Sequence, residues 1–394
     1  MSKTRPSTAG SPVVTEAGAP PDTGAADFRQ LQQLVASLIE HARMPYPLGV
    51  VGYTPAAFGE AYKALYLRDF TYMAESAPEF IPPAHVRAIV DLLVAKLSPA
   101  GLCPERISND GEVFYVCHGS RPVTDSPLFL VKLCAAHLQH GADPDFCAAI
   151  YPQLERVLAT IPLEASTGLV WIDPATPHTA YGFTDTIAIT GRHLFCSLLL
   201  GEAHRILAAM ARGLDRSADA WRHERCAEHI SASLDLLWSP EQALYFAGSQ
   251  DCRQADIWGS AYACVSGALP EARRQEVARS LRGKRDRFLW RGQVRHLLLP
   301  EFWQRVVVEA EWTRPDQFQN GTYWGTATGW MAEVFETDQP GAGFALLHEL
   351  IADFEAHGVW ECIGPNGYQR VAHNISSACL PYASFKRLRQ RQPA

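Results

Sequence analysis

Charge of one sign gathered in one place is what this chain lacks most clearly. It carries 35 Lys and Arg against 42 Asp and Glu, a formal net charge of −7. No basic stripe is available to neutralise a phosphate backbone, so nucleic acid is excluded as the main partner. The two denser basic patches, Arg282 to Arg287 and Lys386 to Arg391, read as solvated ends. Long hydrophobic runs are also missing. None approaches the roughly 20 residues needed to span a bilayer, so no membrane partner is expected. The opening stretch, MSKTRPSTAGSPVVTEAGAPPDTG, has no apolar core of the kind a secretory leader needs. Its Pro, Gly, Ser, Thr and Ala content reads as a disordered tail over residues 1–25, followed by one domain over 26–394. The ten cysteines include no Cys-x-x-Cys pair, and Cys134, Cys196, Cys264 and Cys379 lie inside apolar helical patterns. Buried reduced thiols in a cytoplasmic protein are therefore expected, and in that compartment the sequons at Asn320 and Asn374 carry no sugar. A Gly-rich phosphate loop and a Gly-x-Ser-x-Gly elbow are absent. His223-Glu224 followed by His229 has the wrong spacing for two metal ligands on one helix face. The sequence thus carries no metal or cofactor signature.

What the chain does have is a repeated local pattern, a polar loop ending in Asp or Asn and then a strongly apolar helix. The clearest copy is RPVTDSPLFLVKLCAAHLQHG, where Asp125 precedes a helix with Leu128, Val131, Ala135 and Leu138 on one face. The pattern recurs at Asp69 (YLRDFTYM), Asp185 (YGFTDTIAI), Asp256 (RQADIWGSAYA), Asn320 (FQNGTYWGTA) and Asn374 (VAHNISSACL). The spacings between the six markers are 56, 60, 71, 64 and 54 residues. Any one of them reads as a helix cap. Six at near-regular intervals read as repeated helical hairpins.

Periodicity predicts twelve helices, beginning with Phe28 to Ala42 and ending with Asn374 to Arg387. Thr184 to Arg212 is predicted as one long helix, and Gly321 to Glu336 as another. VFYVCHG, in the long Ser98–Thr124 loop, suggests a hairpin strand, and VVVEAEW suggests a second strand. Even-numbered helices such as LFLVKLCAAHL are apolar nearly all round, whereas odd-numbered ones such as EARRQEVARSLRGK have a polar face. An inner ring and an outer ring follow. The predicted fold is an all-α (α/α)6 toroid with long irregular loops on one face, where all inner helices begin and their preceding loops form one pocket.

On LYLRDF, TDSPLFL, AYGF, QNGTYWG and WECIGPNGY the chain resembles the six-hairpin glycosidases of the glucoamylase, trehalase, processing α-glucosidase and neutral invertase kind. The resemblance spans about Tyr53 to Leu388, without the β-sandwich that many relatives carry, so a pocket built by the toroid alone is expected. It implies an Arg-Asp pair at the sugar-binding end, here Arg68 and Asp69. It also implies a general acid in an Asp-Ser-Pro-like motif, here Asp125, an Asn-Gly segment closing the pocket, here at Asn320, and a base Glu near the C-terminus. For the base, Glu361 matches a processing-glucosidase pattern and Glu311 an invertase-like one.

Glycoside hydrolysis agrees with such a set. One carboxyl protonates the leaving group and the other activates water, about 6.5–9.5 Å apart when configuration inverts. An Asp at a helix start tends to have its pKa lowered, so acid duty at Asp125 requires burial or a neighbouring carboxylate to raise it. Asp185 and Asp256 read as hydroxyl ligands or caps. Aromatic residues gather in the same loops (Tyr66, Tyr72, Phe114, Tyr115, Trp171, Tyr181, Phe183, Trp258, Trp312, Tyr323, Trp324 and Trp360), where they either stack on sugar rings or pack the inner ring. The expected activity is an inverting glycoside hydrolase acting on a small oligosaccharide or glycoside. Two alternatives stay open on the same toroid. One is a sugar epimerase of the N-acylglucosamine type, transferring protons through His118, His178 or His373. The other is a noncatalytic carbohydrate-binding toroid.

Overall fold

The computed structural model describes residues 23–391 apart from 47, 48, 60 and 142. Twelve α-helices lie among them: α1 (Thr23–His41), α2 (Leu67–Ser76), α3 (Pro83–Ala95), α4 (Ser126–Leu138), α5 (Pro144–Leu158), α6 (Leu194–Gly213), α7 (Ser217–Ser233), α8 (Ile257–Val265), α9 (Glu271–Gly283), α10 (Thr328–Asp338), α11 (Ala342–His357) and α12 (Ser376–Arg391). The expected disordered tail lies outside the described residues up to residue 22, and its last three residues are already helical.

The even-numbered helices pack in the order α2–α4–α6–α8–α10–α12, and α12 returns to α2, closing a ring. Each odd-numbered helix lies against it from outside: α3 on α4, α5 on α4 and α6, α7 on α6, α9 on α8 and α10, α11 on α10 and α12, and α1 on α12. The reason is visible in the sequence. Every residue of α4 from Ser126 to Cys134 is buried, whereas α9 buries only Val277, Ala278 and Leu281. A helix apolar all round belongs inside, and one with a narrow apolar stripe belongs at the surface. The ring also accounts for α6, which is long and apolar enough to cross a membrane, contrary to the reading that no such run exists. In this fold 72% of its most apolar window is buried among the other helices.

Two predicted helices are shorter than expected. Residues 184–193 are non-helical apart from the end of a 3₁₀ turn and include the short strand Gly191–Arg192, paired with Trp171–Ile172, before α6, which begins only at Leu194 with the His193 ring accepting from the Cys196 N–H. Residues 321–327 likewise precede α10, and Tyr323–Trp324 is a strand. Periodicity misled here because buried loop residues are apolar for packing reasons that have nothing to do with helix phase. VVVEAEW is not a strand either, because Glu311–Thr313 is a short 3₁₀ turn.

Small sheets crown the end of the ring where the inner helices start. One has three strands, in which Ala64–Tyr66 pairs antiparallel with Arg106–Ser108, and that with Val113–Phe114. The last strand bears out the hairpin expected at VFYVCHG. Another has five antiparallel strands in the order Leu289–Trp290, Gln293–Arg295, Tyr323–Trp324, Trp360–Ile363 and Gln369–Ala372, and three further sheets among the described residues have two strands each. Sequence periodicity does not register the five-stranded sheet, whose strands are two to four residues long and come from loops up to about 80 residues apart. All ten cysteines are free thiols.

Candidate active site

A cavity of about 340 Å³ opens between the three-stranded and five-stranded sheets, above the starts of the inner helices. The three-stranded sheet contributes Tyr66 and Arg106, and the five-stranded sheet contributes Trp324, Glu361 and Arg370 from three neighbouring strands. Arg68 and Asp69 come from the first turn of α2, and Gly182, Phe183 and Asp185 from the loop that leads to α6. Tyr62, Glu105, Cys117, His118, Trp312, Phe318 and Gln319 complete most of the wall.

Arg68 ties the lower wall together. Its Nε donates to Asp125 Oδ2 at 2.8 Å, while its terminal nitrogens lie 3.7 Å from Asp69 and 4.0 Å from Glu105. These carboxylates hold the guanidinium charged despite burial, and its pKa is raised well above its usual value. Gly182 makes room for it: a Cβ there would sit 1.6 Å from the guanidinium carbon. The Gly182 N–H also donates to Asp125 Oδ2 at 2.9 Å. Asp125 is 0% exposed and is not part of the cavity wall. It is a buried clamp between α4, Arg68 and the Gly182 loop.

Asp185 does face the cavity. Its loop is held by Gln319, whose Oε1 accepts from the Thr186 N–H at 3.0 Å and whose amide donates to the Gly182 carbonyl at 3.1 Å. The Cys117 thiol donates to Asp185 Oδ2 at 3.6 Å, and Oδ1 is buried without a partner. Burial raises the Asp185 pKa, and His118 and Arg68 only partly oppose it. On the five-stranded sheet, Glu361 Oε1 accepts from the Tyr62 hydroxyl at 2.6 Å. Arg370 Nε lies 3.3 Å from Oε2 but without hydrogen-bond geometry, so that oxygen has no partner. Burial pushes Glu361 up to about 7, Tyr62 and Arg370 pull it down, and the charges of Asp69 and Asp185 add to the rise. Asp69, gripped by Arg68 and by Ser376 Oγ at 3.3 Å, is raised by burial to about 6. Glu105 is raised to about 7 for the same reason, against Arg68 and Arg106.

Eight of the residues expected at the site line this cavity: Tyr66, Arg68, Asp69, Phe183, Asp185, Trp312, Trp324 and Glu361. The others lie elsewhere. Glu311 is exposed on its 3₁₀ turn. Tyr181 is packed at 1% exposure against the Phe195 ring, 4.0 Å between centroids, with its hydroxyl 3.0 Å from that of Tyr72. Trp258 stacks on His296 in the core, and Asp256 is buried at the start of α8, raised by burial to about 7. Asn320 locks its own loop, accepting from the Trp303 N–H at 2.8 Å and donating to the Thr313 carbonyl at 3.0 Å. Tyr323 packs on Trp290, Trp360 donates to the His357 carbonyl, and His373 is exposed beside Phe58. Polar and aromatic types are equally suited to caps and core packing, and only the path of the chain separates those uses. Of the three histidines that an epimerase would draw on, His118 alone lines the cavity.

Sequence reasoning missed Tyr62, Glu105, Arg106, Cys117, Phe318, Gln319 and Arg370. The length of the Ser98–Thr124 loop was a signal for three of these. Arg370 comes in through strand pairing after the Pro-Asn-Gly turn, with Cys362 as its register partner.

No protein-family profile matches the chain, and no curated protein matches its sequence. Solved structures do match, and they define the class: the chain has the toroid of the six-hairpin glycosidases. An uncharacterised conserved protein from Thermus thermophilus superposes with a TM-score of 0.64 at 15% identity, over 90% of this chain and 99% of that one. The GH63 mannosylglycerate hydrolase of the same organism, solved with glucose, gives 0.62 at 15% identity over 91% of this chain and 100% of that one. A rhamnosidase from Klebsiella oxytoca with rhamnose bound gives 0.64 at 15% identity, covering 95% of this chain and 65% of the other.

Proposed function

We propose that the protein is an inverting glycoside hydrolase acting on a small oligosaccharide or glycoside, with Asp185 as general acid and Glu361 as general base. The observation that carries this reading is a pair of carboxyls, on the loop before α6 and on the five-stranded sheet, that line one cavity. Each is raised by burial and each has one unbonded oxygen. A carboxyl raised toward neutrality keeps its proton long enough to give it to a leaving oxygen. Arg68, Arg106 and Arg370 hold the neighbouring carboxylates in place, and Asp69 and Glu105 are placed to accept from sugar hydroxyls. Trp324, Tyr66, Phe183 and Trp312 offer flat apolar faces for the ring C–H bonds. Tyr62 fixes one oxygen of Glu361 and leaves the other for water. We also place the protein in the cytoplasm, in keeping with its ten free thiols.

The test is a comparison of leaving groups, made on nitrophenyl glycosides and natural disaccharides. Asp185→Asn should lose roughly 10²–10⁴-fold on natural substrates and recover in part on a dinitrophenyl glycoside, which hardly needs protonation. Glu361→Gln should slow good and poor leaving groups alike, and Glu311→Gln should leave both unchanged. Inversion is read from the anomer released first, followed by NMR. Full activity of Asp185→Asn on a natural substrate would sink the assignment.

A further inference from the structure

A second cavity, of about 400 Å³, lies behind the wall that carries Asp185. It is slightly larger than the catalytic one and none of its lining residues is shared with it. The two cavities nevertheless share two stretches of chain. His118 faces the first and Arg121 to Thr124 the second, while Trp171 to His178 face the second and Gly182 to Asp185 the first. The stretches are laced by the Thr179 N–H to the His118 carbonyl at 3.1 Å and the His118 N–H to Thr179 Oγ1 at 3.1 Å. Thr179 Oγ1 in turn donates to the Asp185 carbonyl at 3.0 Å. They are pressed so closely that a Cβ at Gly119 (φ +80) would meet the Pro177 carbonyl at 2.6 Å.

The lining has two parts. Half-buried Trp171 with Pro122, Pro127 and Pro162 makes broad flat apolar walls, and Thr160, Thr176, Asp173 and Arg121 supply donors and acceptors. His178 is already bonded, to Thr124 Oγ1 at 3.0 Å and the Thr176 carbonyl at 3.3 Å, so its ring is fixed. One carboxylate and one guanidinium leave the cavity close to neutral, which disfavours phosphorylated or multiply charged ligands. An indole wall facing a mixed fringe of hydroxyl, carboxylate and guanidinium groups suits a ring with C–H faces and hydroxyl edges.

We propose that this cavity is a second carbohydrate-binding site, taking a neutral monosaccharide unit, and that its occupancy is transmitted to the Asp185 loop. The choice of ligand class rests on the glycosidase reading, but the binding does not require turnover. Glu361→Gln, which binds without hydrolysing, is titrated calorimetrically with glucose, mannose and rhamnose as separate probes. Two sites per chain are expected for at least one sugar. Adding Trp171→Ala or Arg121→Ala should weaken one of them by roughly tenfold or more and leave the other in place. Arg121 is exposed, so its variant keeps the test valid should Trp171→Ala fold poorly. In the wild-type background Arg121→Ala should leave activity at low substrate unchanged and abolish any change of rate as the second site fills. A single site for every sugar, or two sites indifferent to both substitutions, overturns the proposal. Wild-type turnover of the nitrophenyl glycosides is a separate readout, so failure of the second site and failure of the catalytic reading are told apart.

Discussion

At the scale of single residues, four carboxyls line one cavity in different surroundings. Asp69 and Glu105 lie 3.7 and 4.0 Å from Arg68 and Glu361 lies 3.3 Å from Arg370, whereas Asp185 Oδ1 and Glu361 Oε2 are the oxygens of this set buried without a hydrogen bond. The base must be ionised, and Glu361 stands near 7, so activity should rise as pH climbs through about 7. The acid must be protonated, and burial raises Asp185 as well, which favours its protonated form. A bell-shaped kcat/KM profile is therefore expected, with Glu361 contributing a limb near neutrality. Asp125 provides a sharp control. It holds Arg68 and the Gly182 N–H, and with Asp185 as the proposed acid, Asp125→Asn should lower the bell while keeping both limbs. Asp185→Asn should remove the basic limb. An Asp125→Asn profile that lost its basic limb would return the acid role to Asp125.

At the scale of elements, the inner helices are joined by buried charge as well as by apolar packing. Lys132 of α4 sits 2.6 Å from Glu202 of α6 and 3.2 Å from Glu75 of α2, and Tyr262 of α8 donates its hydroxyl to Glu202. One lysine thus compensates two carboxylates where four inner helices meet. Burial opposes the charge on Lys132, but the two carboxylates outweigh it and hold its pKa well above the usual value. Replacing it by Met leaves both carboxylates without their cation. The loss of stability should fall at the lower end of roughly 3–5 kcal/mol, because both glutamates keep some solvent contact. Chemical denaturation of Lys132→Met measures this, and adding Glu202→Gln should restore part of it. If the double variant is no more stable than the single one, the charge argument fails.

At the scale of the whole molecule, a toroid is stable only when closed, since an open ring exposes two apolar helix faces. The closing helix is α12, packed between α2 and α10. It is pinned by Arg387 to Glu333 at 2.6 Å, Arg391 to Glu333 at 3.1 Å and Lys386 to Glu79 at 2.9 Å. It also sends Ser376 to Asp69 at the cavity floor. A chain ending at residue 373 should therefore lose its cooperative thermal transition altogether, measured by calorimetry, rather than melt a few degrees lower. A retained sharp transition would mean that the ring does not fold as one unit.

The sequence by itself determined the ring. Helices apolar on every side had to be enclosed, helices with one apolar stripe had to enclose them, and near-regular spacing of the polar markers set six hairpins with one shared end. That logic is local, because burial of a helix face is written in its own periodicity. It also placed Asp69 and Asp185 at that end, while Glu361 was pointed to only by the resemblance to the processing glucosidases. Which polar residue faces the cavity was decided only by the tertiary structure. Asp125 and Asp185 follow the same local pattern, yet one turns into the core to hold Arg68 and the other stands free in the wall. Tyr62 and Arg370 are hundreds of residues apart in sequence and meet at Glu361 because closure of the ring sets the loop before the three-stranded sheet against the hairpin that carries Glu361 and Arg370. Strands of two to four residues carry too little periodicity to be seen locally, and their partners are chosen by the closure of the ring beneath them.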